Sequence, residues 1–279
     1  VLPSALAGDL RAAGGGLVVR RRKRGARRGA GGGDSERLAL RRGVAGAGLS
    51  AESGLPTFRD SGGLWEGHRV EDVATPEGFA RDPLLVWRFY AQRQVDQTRV
   101  RPNAGHRALA AMEEMFEDFL LITQNVDNLS ERAGSRKMVK IHGDLMDVWC
   151  WRCEWRSVLD RPVSPASLNT PADIPRCPVC GSLTRPGVVW FGEMLPAAAI
   201  ERAISFTSAA EALITVGTSG LVSGGYGFTE SVRSHGGKVI EVNPNETCLS
   251  DQADVLVRAG SASALPAILE LLRELRAAG

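Results

Sequence analysis

The chain has 279 residues, 43% hydrophobic and 24% charged, which suits one or two globular domains with a sizeable core. No apolar run approaches the roughly 20 residues needed to cross a bilayer, and Leu17-Val18-Val19 is too short for the apolar part of a secretory signal, so a cytoplasmic protein without a membrane partner is expected. The net charge of +2 hides a split, since residues 1–42 hold 11 Lys/Arg against 3 Asp/Glu and carry +8 while the rest carries −6.

Residues 1–36 form a basic tail built on Arg20-Arg21-Arg22-Lys23-Arg24, Arg27 and Arg28 among glycines. Such a segment repels itself and has little to bury, so disorder is expected. It reads either as a solvated tail or misassigned start, or as a targeting segment or an anchor for nucleic acid or a membrane surface. Nucleic acid is expected only through this tail, because the body is acidic.

Residues 37–45 make a poor strand, since Arg41 and Arg42 interrupt its apolar pattern, and they run into Gly46-Ala47-Gly48-Leu49-Ser50. Residues 104–116 have helical apolar spacing, with Asn103 as N-cap. A buried strand over 119–123 ends in Gln124, Asn125 and Asp127, polar groups that a packed strand tip does not need. Short strands follow over 138–142 and 188–191. A further apolar run over 211–216 leads into Gly217-Thr218-Ser219. Residues 224–234 read as helix, 238–242 as a strand ending at Asn243, and 253–257 as a last short strand. Residues 261–277 form an amphipathic closing helix with Leu265, Ile268, Leu269, Leu272 and Leu275 on one stripe.

Four of the five cysteines form Cys150-Trp-Arg-Cys153 and Cys177-Pro-Val-Cys180. A two-residue spacer lets both thiolates of a pair reach one ion, and two pairs complete a closed tetrahedral zinc site, which is structural because no position stays open. The gap between pairs is wider than in the usual ribbon, and Pro162, Pro165, Pro171 and Pro175 fit an inserted loop. Cys248 is left over and expected to be a small, partly buried residue.

Short apolar strands alternating with helices predict an α/β fold, a Rossmann-like parallel sheet with helices on both faces, plus a small zinc-binding domain built on the four paired cysteines. The boundaries follow as 37–147 with 185–279 for the sheet domain, 61–104 for its helical part and 148–184 for the zinc domain. Ligands of such sheets bind beyond the carboxyl ends of the strands. The polar clusters sit there: Gly46-Ala47-Gly48, Gln124 to Asp127, His142-Gly143, Gly217-Thr218-Ser219 and Asn243.

The stretches GAGLSAESGLPTFR (46–59), TQNVDNLSERAG (123–134), KIHGDL (140–145), the two CxxC pairs, RPGVVWFGE (185–193), VGTSG (216–220) and EVN (241–243) resemble the sirtuins, the NAD-dependent protein lysine deacylases, in family order. The resemblance implies NAD and Zn2+ as cofactors and acylated lysines of proteins as substrates, with a monomer expected. It implies cofactor contacts from Gly46, Ala47, Gly48, Ser50, Gly217, Thr218, Ser219, Asn243 and Ala262. Phe58 and Arg59 would lie on a loop over the nicotinamide side, with Gln124, Asn125 and Asp127 on the nicotinamide and its ribose. It further implies His142 as general base, Asn125 as its catalytic companion, and Val189-Trp190-Phe191-Gly192 as an edge pairing with the substrate peptide. Products would be free lysine, nicotinamide and 2′-O-acyl-ADP-ribose.

Phe89-Tyr90-Ala91-Gln92-Arg93 carries the Tyr-x-x-Arg of the class that prefers acidic acyl groups. Residues three apart share a helix face, so Tyr90 and Arg93 can meet a succinyl, malonyl or glutaryl carboxylate, while acetyl-lysine, also open as a substrate, leaves the pair unused. His68, His106 and His235 read as structural or solvated. Ser130 stands where the family usually has His, Arg41-Arg42-Gly43-Val44-Ala45 replaces an apolar first strand, and Ser223-Gly224-Gly225-Tyr226 alters the turn after Gly217-Thr218-Ser219. These departures leave open a weakly active or inactive NAD/ADP-ribose-binding protein, and the tail leaves open a zinc-ribbon nucleic-acid binder.

Overall fold

The computed structural model describes residues 18–21, 43–45, 48–56, 64–65, 67–220 and 227–278. Its strands are β1 (Val18–Arg21), β2 (Gly43–Ala45), β3 (Leu64–Trp65), β4 (His68–Arg69), β5 (Leu121–Thr123), β6 (Met138–Lys140), β7 (Gly143–Cys150), β8 (Arg156–Val158), β9 (Thr184–Val188), β10 (Ala212–Val216), β11 (Lys238–Val242) and β12 (Val255–Arg258). Seven of them form one sheet in the order β1-β12-β11-β10-β2-β5-β6. All its pairings are parallel except β1 with β12.

Alternation along each strand sends its residues to opposite faces. Leu121, Ile214 and Ile240 join helices Ala104–Met115 and Ser261–Ala277 through Leu109, Met112, Leu265 and Ile268. Leu120, Ile122, Leu213 and Val239 join helices Ala197–Ser208 and Phe228–Ser234 through Ala203, Phe228 and Val232. Helices therefore cover both faces, as the pattern predicted. Asn103 caps its helix by accepting from the N–H groups of Gly105 and His106.

Several expectations change. The tail is not wholly irregular, since the backbone of Val18–Arg21 runs antiparallel along β12 with Val18 opposite Arg258. The doubtful first strand exists as Gly43–Ala45, at the centre of the sheet between β10 and β5. Of the strand expected over 188–191 only Val188 is in β9. Residues beyond it turn, with Glu193 N–H donating to Trp190 O. Cys248 is exposed, not partly buried. Arg41, Arg42 and residues 223–226 lie outside the described residues.

A second, antiparallel sheet has the order β8-β7-β9 and carries the cysteines. Helix Pro83–Arg99 packs against it through Val86, Trp87 and Tyr90, which meet Leu145, Val148 and Trp190 in a separate core. Polar side chains fix this contact. Trp87 Nε1 donates to Thr184 O at 2.7 Å, and Gln94 donates to Leu145 O at 2.7 Å while accepting from Val163 N–H at 2.9 Å. Among the described residues no helix is long and apolar enough to cross a membrane.

Candidate active site

From β2 the chain moves outward to β5 and β6, then returns to build β10, β11 and β12 on the other side. The β2–β10 junction is therefore the switch point at which such sheets open a ligand crevice. The loops beyond both strands approach there backbone to backbone, with Gly48 N–H donating to Gly217 O at 2.9 Å. A Cβ on Gly48 would sit 2.7 Å from Gly217 Cα and O, and Gly217 itself has φ 59°. Only glycines permit this approach. Next to it, Asn243 Nδ2 donates to Thr218 O at 3.0 Å, and Asn245 N–H donates to Asn243 Oδ1 at 3.1 Å. Cys248 Sγ donates to Ser219 O at 3.0 Å.

On the other side of β2, the tips of β5 and β6 meet. His142 Nδ1 lies 3.0 Å from Gln124 O. A carbonyl only accepts, so Nδ1 carries the proton and Nε2 is the basic nitrogen. Burial lowers the His142 pKa below the ordinary histidine value, against the opposing pull of the Gln124 carbonyl, so the ring is neutral at pH 7. Asn125 Nδ2 donates to Ser50 Oγ at 3.0 Å. Its Oδ1 is buried with no hydrogen-bond partner, an arrangement that costs free energy unless a ligand supplies a donor. Asp127 Oδ1 accepts from Leu129 N–H at 3.0 Å. The structure thus brings together Ser50, Gln124, Asn125, Asp127 and His142 beside the Gly48–Gly217 cradle. The orphaned Asn125 oxygen fits a cofactor that brings a hydroxyl or amide donor.

Other predicted residues stand differently. Gly46, Ala47, Phe58 and Arg59 lie outside the described residues. Ala262 gives its N–H to Glu52 Oε2 at 2.9 Å, shared with Ser261 Oγ at 2.5 Å, so that amide serves a carboxylate of the chain itself. The edge expected over Val189 to Gly192 is partly closed, because Val189 N–H donates to His142 O at 2.9 Å and Phe191 N–H to Ala74 O at 3.0 Å. Phe191 and Gly192 are exposed. Ser130 is buried in the short helix Leu129–Ala133, and its carbonyl accepts from Ser135 N–H at 3.0 Å.

Tyr90 and Arg93 sit on the inner face of helix Pro83–Arg99, both buried. The Arg93 guanidinium lies 3.2 Å over the Phe89 ring, and Nη1 donates to Phe89 O at 2.7 Å. Burial pushes the Tyr90 phenol upward, out of the working range.

His106 is structural, as its sequence reading held, whereas Lys140 beside the site was not singled out from the sequence. His106, 1% exposed, accepts from Asn103 N–H at Nδ1 (3.3 Å), so Nε2 carries the proton and faces Ser50 Oγ at 3.4 Å. Its position three residues after the N-cap was the available signal. Lys140 donates to Asp127 O and to Glu131 Oε1, both at 2.7 Å, and to Asp144. Burial works against its charge, but Asp144 and Glu131 hold the ammonium above the ordinary lysine value.

The four knuckle sulfurs lie within 4.8 Å of one another, with Cys150···Cys180 at 3.4 Å and Cys153···Cys177 at 3.6 Å. Tetrahedral Zn–S bonds of about 2.3 Å place sulfurs about 3.8 Å apart, so the set fits zinc. The N–H groups of Arg152 and Cys153 both donate to Cys150 Sγ at 3.3 Å, which orients that sulfur.

The family model described as "Sir2 family" matches residues 46–224. The chain belongs to the Sir2 family. Among similar sirtuins, the NAD-dependent protein deacylase of Thermococcus kodakarensis is 44% identical over 232 residues, 83% of this chain and 90% of that protein. The NAD-dependent protein deacylase Sir2 of Mycolicibacterium smegmatis is 43% identical over 233 residues, 83% of this chain and 96% of that one. A solved Sir2 homologue in complex with ADP-ribose superposes with a TM-score of 0.79 at 39% identity, covering 85% of this sirtuin and 93% of the homologue. A Sir2 homologue–NAD complex gives 0.75 at 41% identity, covering 85% and 89%.

Proposed function

We propose that this sirtuin uses NAD to remove carboxylate-ended acyl groups, succinyl or malonyl, from lysine side chains of proteins, releasing nicotinamide and 2′-O-acyl-ADP-ribose. Its broader activity, NAD-dependent protein deacylation, is the one for which relatives at 43–44% identity are named. The acidic preference rests on one observation: the Arg93 guanidinium, 8% exposed, is packed on Phe89 beside the fully buried Tyr90. A planar guanidinium in a dry aromatic setting matches a carboxylate in bidentate fashion, and acetyl offers it nothing.

When bound, NAD supplies the ribose carbon that the acyl oxygen attacks and the nicotinamide that leaves. Gly48, Gly217, Thr218, Ser219 and Asn243 would hold its phosphate and adenosine side. Asn125 Oδ1, Gln124 and Asp127 would hold the nicotinamide ribose and carboxamide, so that their binding energy would contribute to breaking the bond between them. His142 accepts a ribose-hydroxyl proton at Nε2, with its ring orientation fixed through Nδ1 by Gln124 O. Phe191 and Gly192 present an exposed loop for an extended peptide. The four thiolates would hold zinc structurally, with no ligand position left for chemistry.

The test compares acetyl-, malonyl-, succinyl- and glutaryl-lysine peptides by nicotinamide release, with wild type and Arg93→Met. Succinyl and malonyl peptides should turn over fastest, and Arg93→Met should lower desuccinylation far more than deacetylation. Equal loss on all peptides would remove the acidic-acyl assignment. ADP-ribose binding with no turnover of any peptide would remove the catalytic one.

A further inference from the structure

The phenol oxygen of Tyr90 already has a partner in the chain. Trp190 Nε1 donates to Tyr90 Oη at 3.0 Å, and both side chains are buried. The indole is held from several sides. Arg185 lies over its ring with the guanidinium carbon 3.4 Å from the centroid, and Phe79 packs at 5.4 Å. Glu193 accepts from Trp190 N–H at 2.8 Å and pairs with both terminal nitrogens of Arg185. Arg185 Nη2 also donates to Val188 O at 2.7 Å. The ring is thus fixed by a stacked cation, an aromatic neighbour and its own backbone.

An indole N–H can only donate, so Tyr90 Oη accepts there. A hydroxyl that accepts one hydrogen bond becomes a better and more directed donor of its own proton. Because burial keeps the phenol protonated, that donor persists at neutral pH. Arg93, one turn further along the same helix, offers the complementary charge.

We propose that Trp190 is a positioning residue that sets acyl specificity: its indole N–H fixes the Tyr90 hydroxyl as a donor to the terminal carboxylate of an acidic acyl group. This inference rests on the acidic-acyl reading above. It assigns the middle of the 189–192 stretch a task in the acyl pocket, distinct from pairing with the peptide backbone.

Trp190→Phe keeps an aromatic ring against Arg185 and removes the N–H. kcat/KM for succinyl- and acetyl-lysine peptides of one sequence is measured for wild type, Trp190→Phe, Tyr90→Phe and the double variant, with thermal midpoint and zinc content as controls. Trp190→Phe should lower the succinyl-to-acetyl ratio by about tenfold, chiefly through KM, the size expected for one hydrogen bond that orients a charged contact. With Tyr90→Phe already present, it should change the ratio by less than about twofold. A loss of folded enzyme scales both substrates alike, so the ratio decides even if Trp190→Phe is less stable. Equal loss on both peptides, or a further independent fall in the double variant, overturns the role of Trp190. If Arg93→Met still abolishes the succinyl preference, the acidic-acyl reading survives that result. A wild type with no succinyl preference overturns both.

Discussion

His106 is a buried imidazole whose charge state the fold dictates. Burial is the main cause and pushes its pKa down to about 4, opposed by Asp127 and Glu52 and assisted by Arg107. In the unfolded chain the ordinary value of about 6.5 applies. The folded-state pKa is the lower one, so the unfolded chain binds more protons between pH 6.5 and 4. Stability is then fully present above pH 6.5 and is lost as the pH falls toward 4. Between pH 7 and pH 5 this one group should remove about 2 kcal/mol. His106→Asn isolates the effect, because Asn can still accept from Asn103 N–H near the Nδ1 position yet does not titrate. Urea unfolding of both proteins at pH 7 and pH 5 gives the measurement. Wild type should lose about 2 kcal/mol more than the variant over that interval. A wild-type-minus-variant difference that stays constant with pH would refute the buried, neutral assignment of the ring.

His142→Ala should lower kcat by about 10²–10⁴, the usual worth of a general base, as read by nicotinamide-coupled turnover with NAD at saturation. Because burial holds its pKa below 6.5, the acid limb of the wild-type rate should fall below pH 6.5; a limb centred above 7 would exclude neutral His142 as the base. Chelation, or Cys177→Ala, should remove one zinc per chain and melt the β8-β7-β9 sheet, since the knuckles lack any disulfide to hold them. Metal analysis and thermal scans check this, and an unchanged melting profile after complete zinc loss would contradict it.

The polar tip of β5 was legible because a strand buried on both sides has no use for Gln124, Asn125 and Asp127, and the tandem CxxC pairs have few other uses at that spacing. What stayed hidden depends on partners far along the chain. His106 looks like any polar residue in a first helical turn until Ser50, 56 positions earlier, is placed beside it. Trp190 and Tyr90 are 100 positions apart. Val188-Val189-Trp190-Phe191 reads as a strand by composition, yet the N–H groups of Val189 and Phe191 bond to His142 and Ala74. The strand Val18–Arg21 overlaps the start of a charge run whose local chemistry predicts solvation, and its pairing with β12 is set by an edge that no local pattern reveals.

The two halves of the site rest on different supports, and this separates what each kind of damage should do. The cofactor half hangs from the tips of the parallel sheet, where Gly48 bonds to Gly217 and Asn243 to Thr218 across adjacent loops. The half proposed for the acyl group hangs from helix Pro83–Arg99, which is wedged against the zinc-bearing sheet by Trp87, Gln94 and the Trp190–Tyr90 bond. Thr184, which accepts from Trp87, is four residues past Cys180 and opposite Cys150 in the sheet. A loosened knuckle therefore reaches Tyr90 and Arg93 through one layer of packing, and it reaches the Gln124 to Asp127 loop through β7, where Leu145 N–H donates to Val126 O at 2.9 Å. Partial zinc loss should accordingly lower the succinyl-to-acetyl turnover ratio before it weakens ADP-ribose binding, because the bonds of Gly48 to Gly217 and of Asn243 to Thr218 do not involve β7.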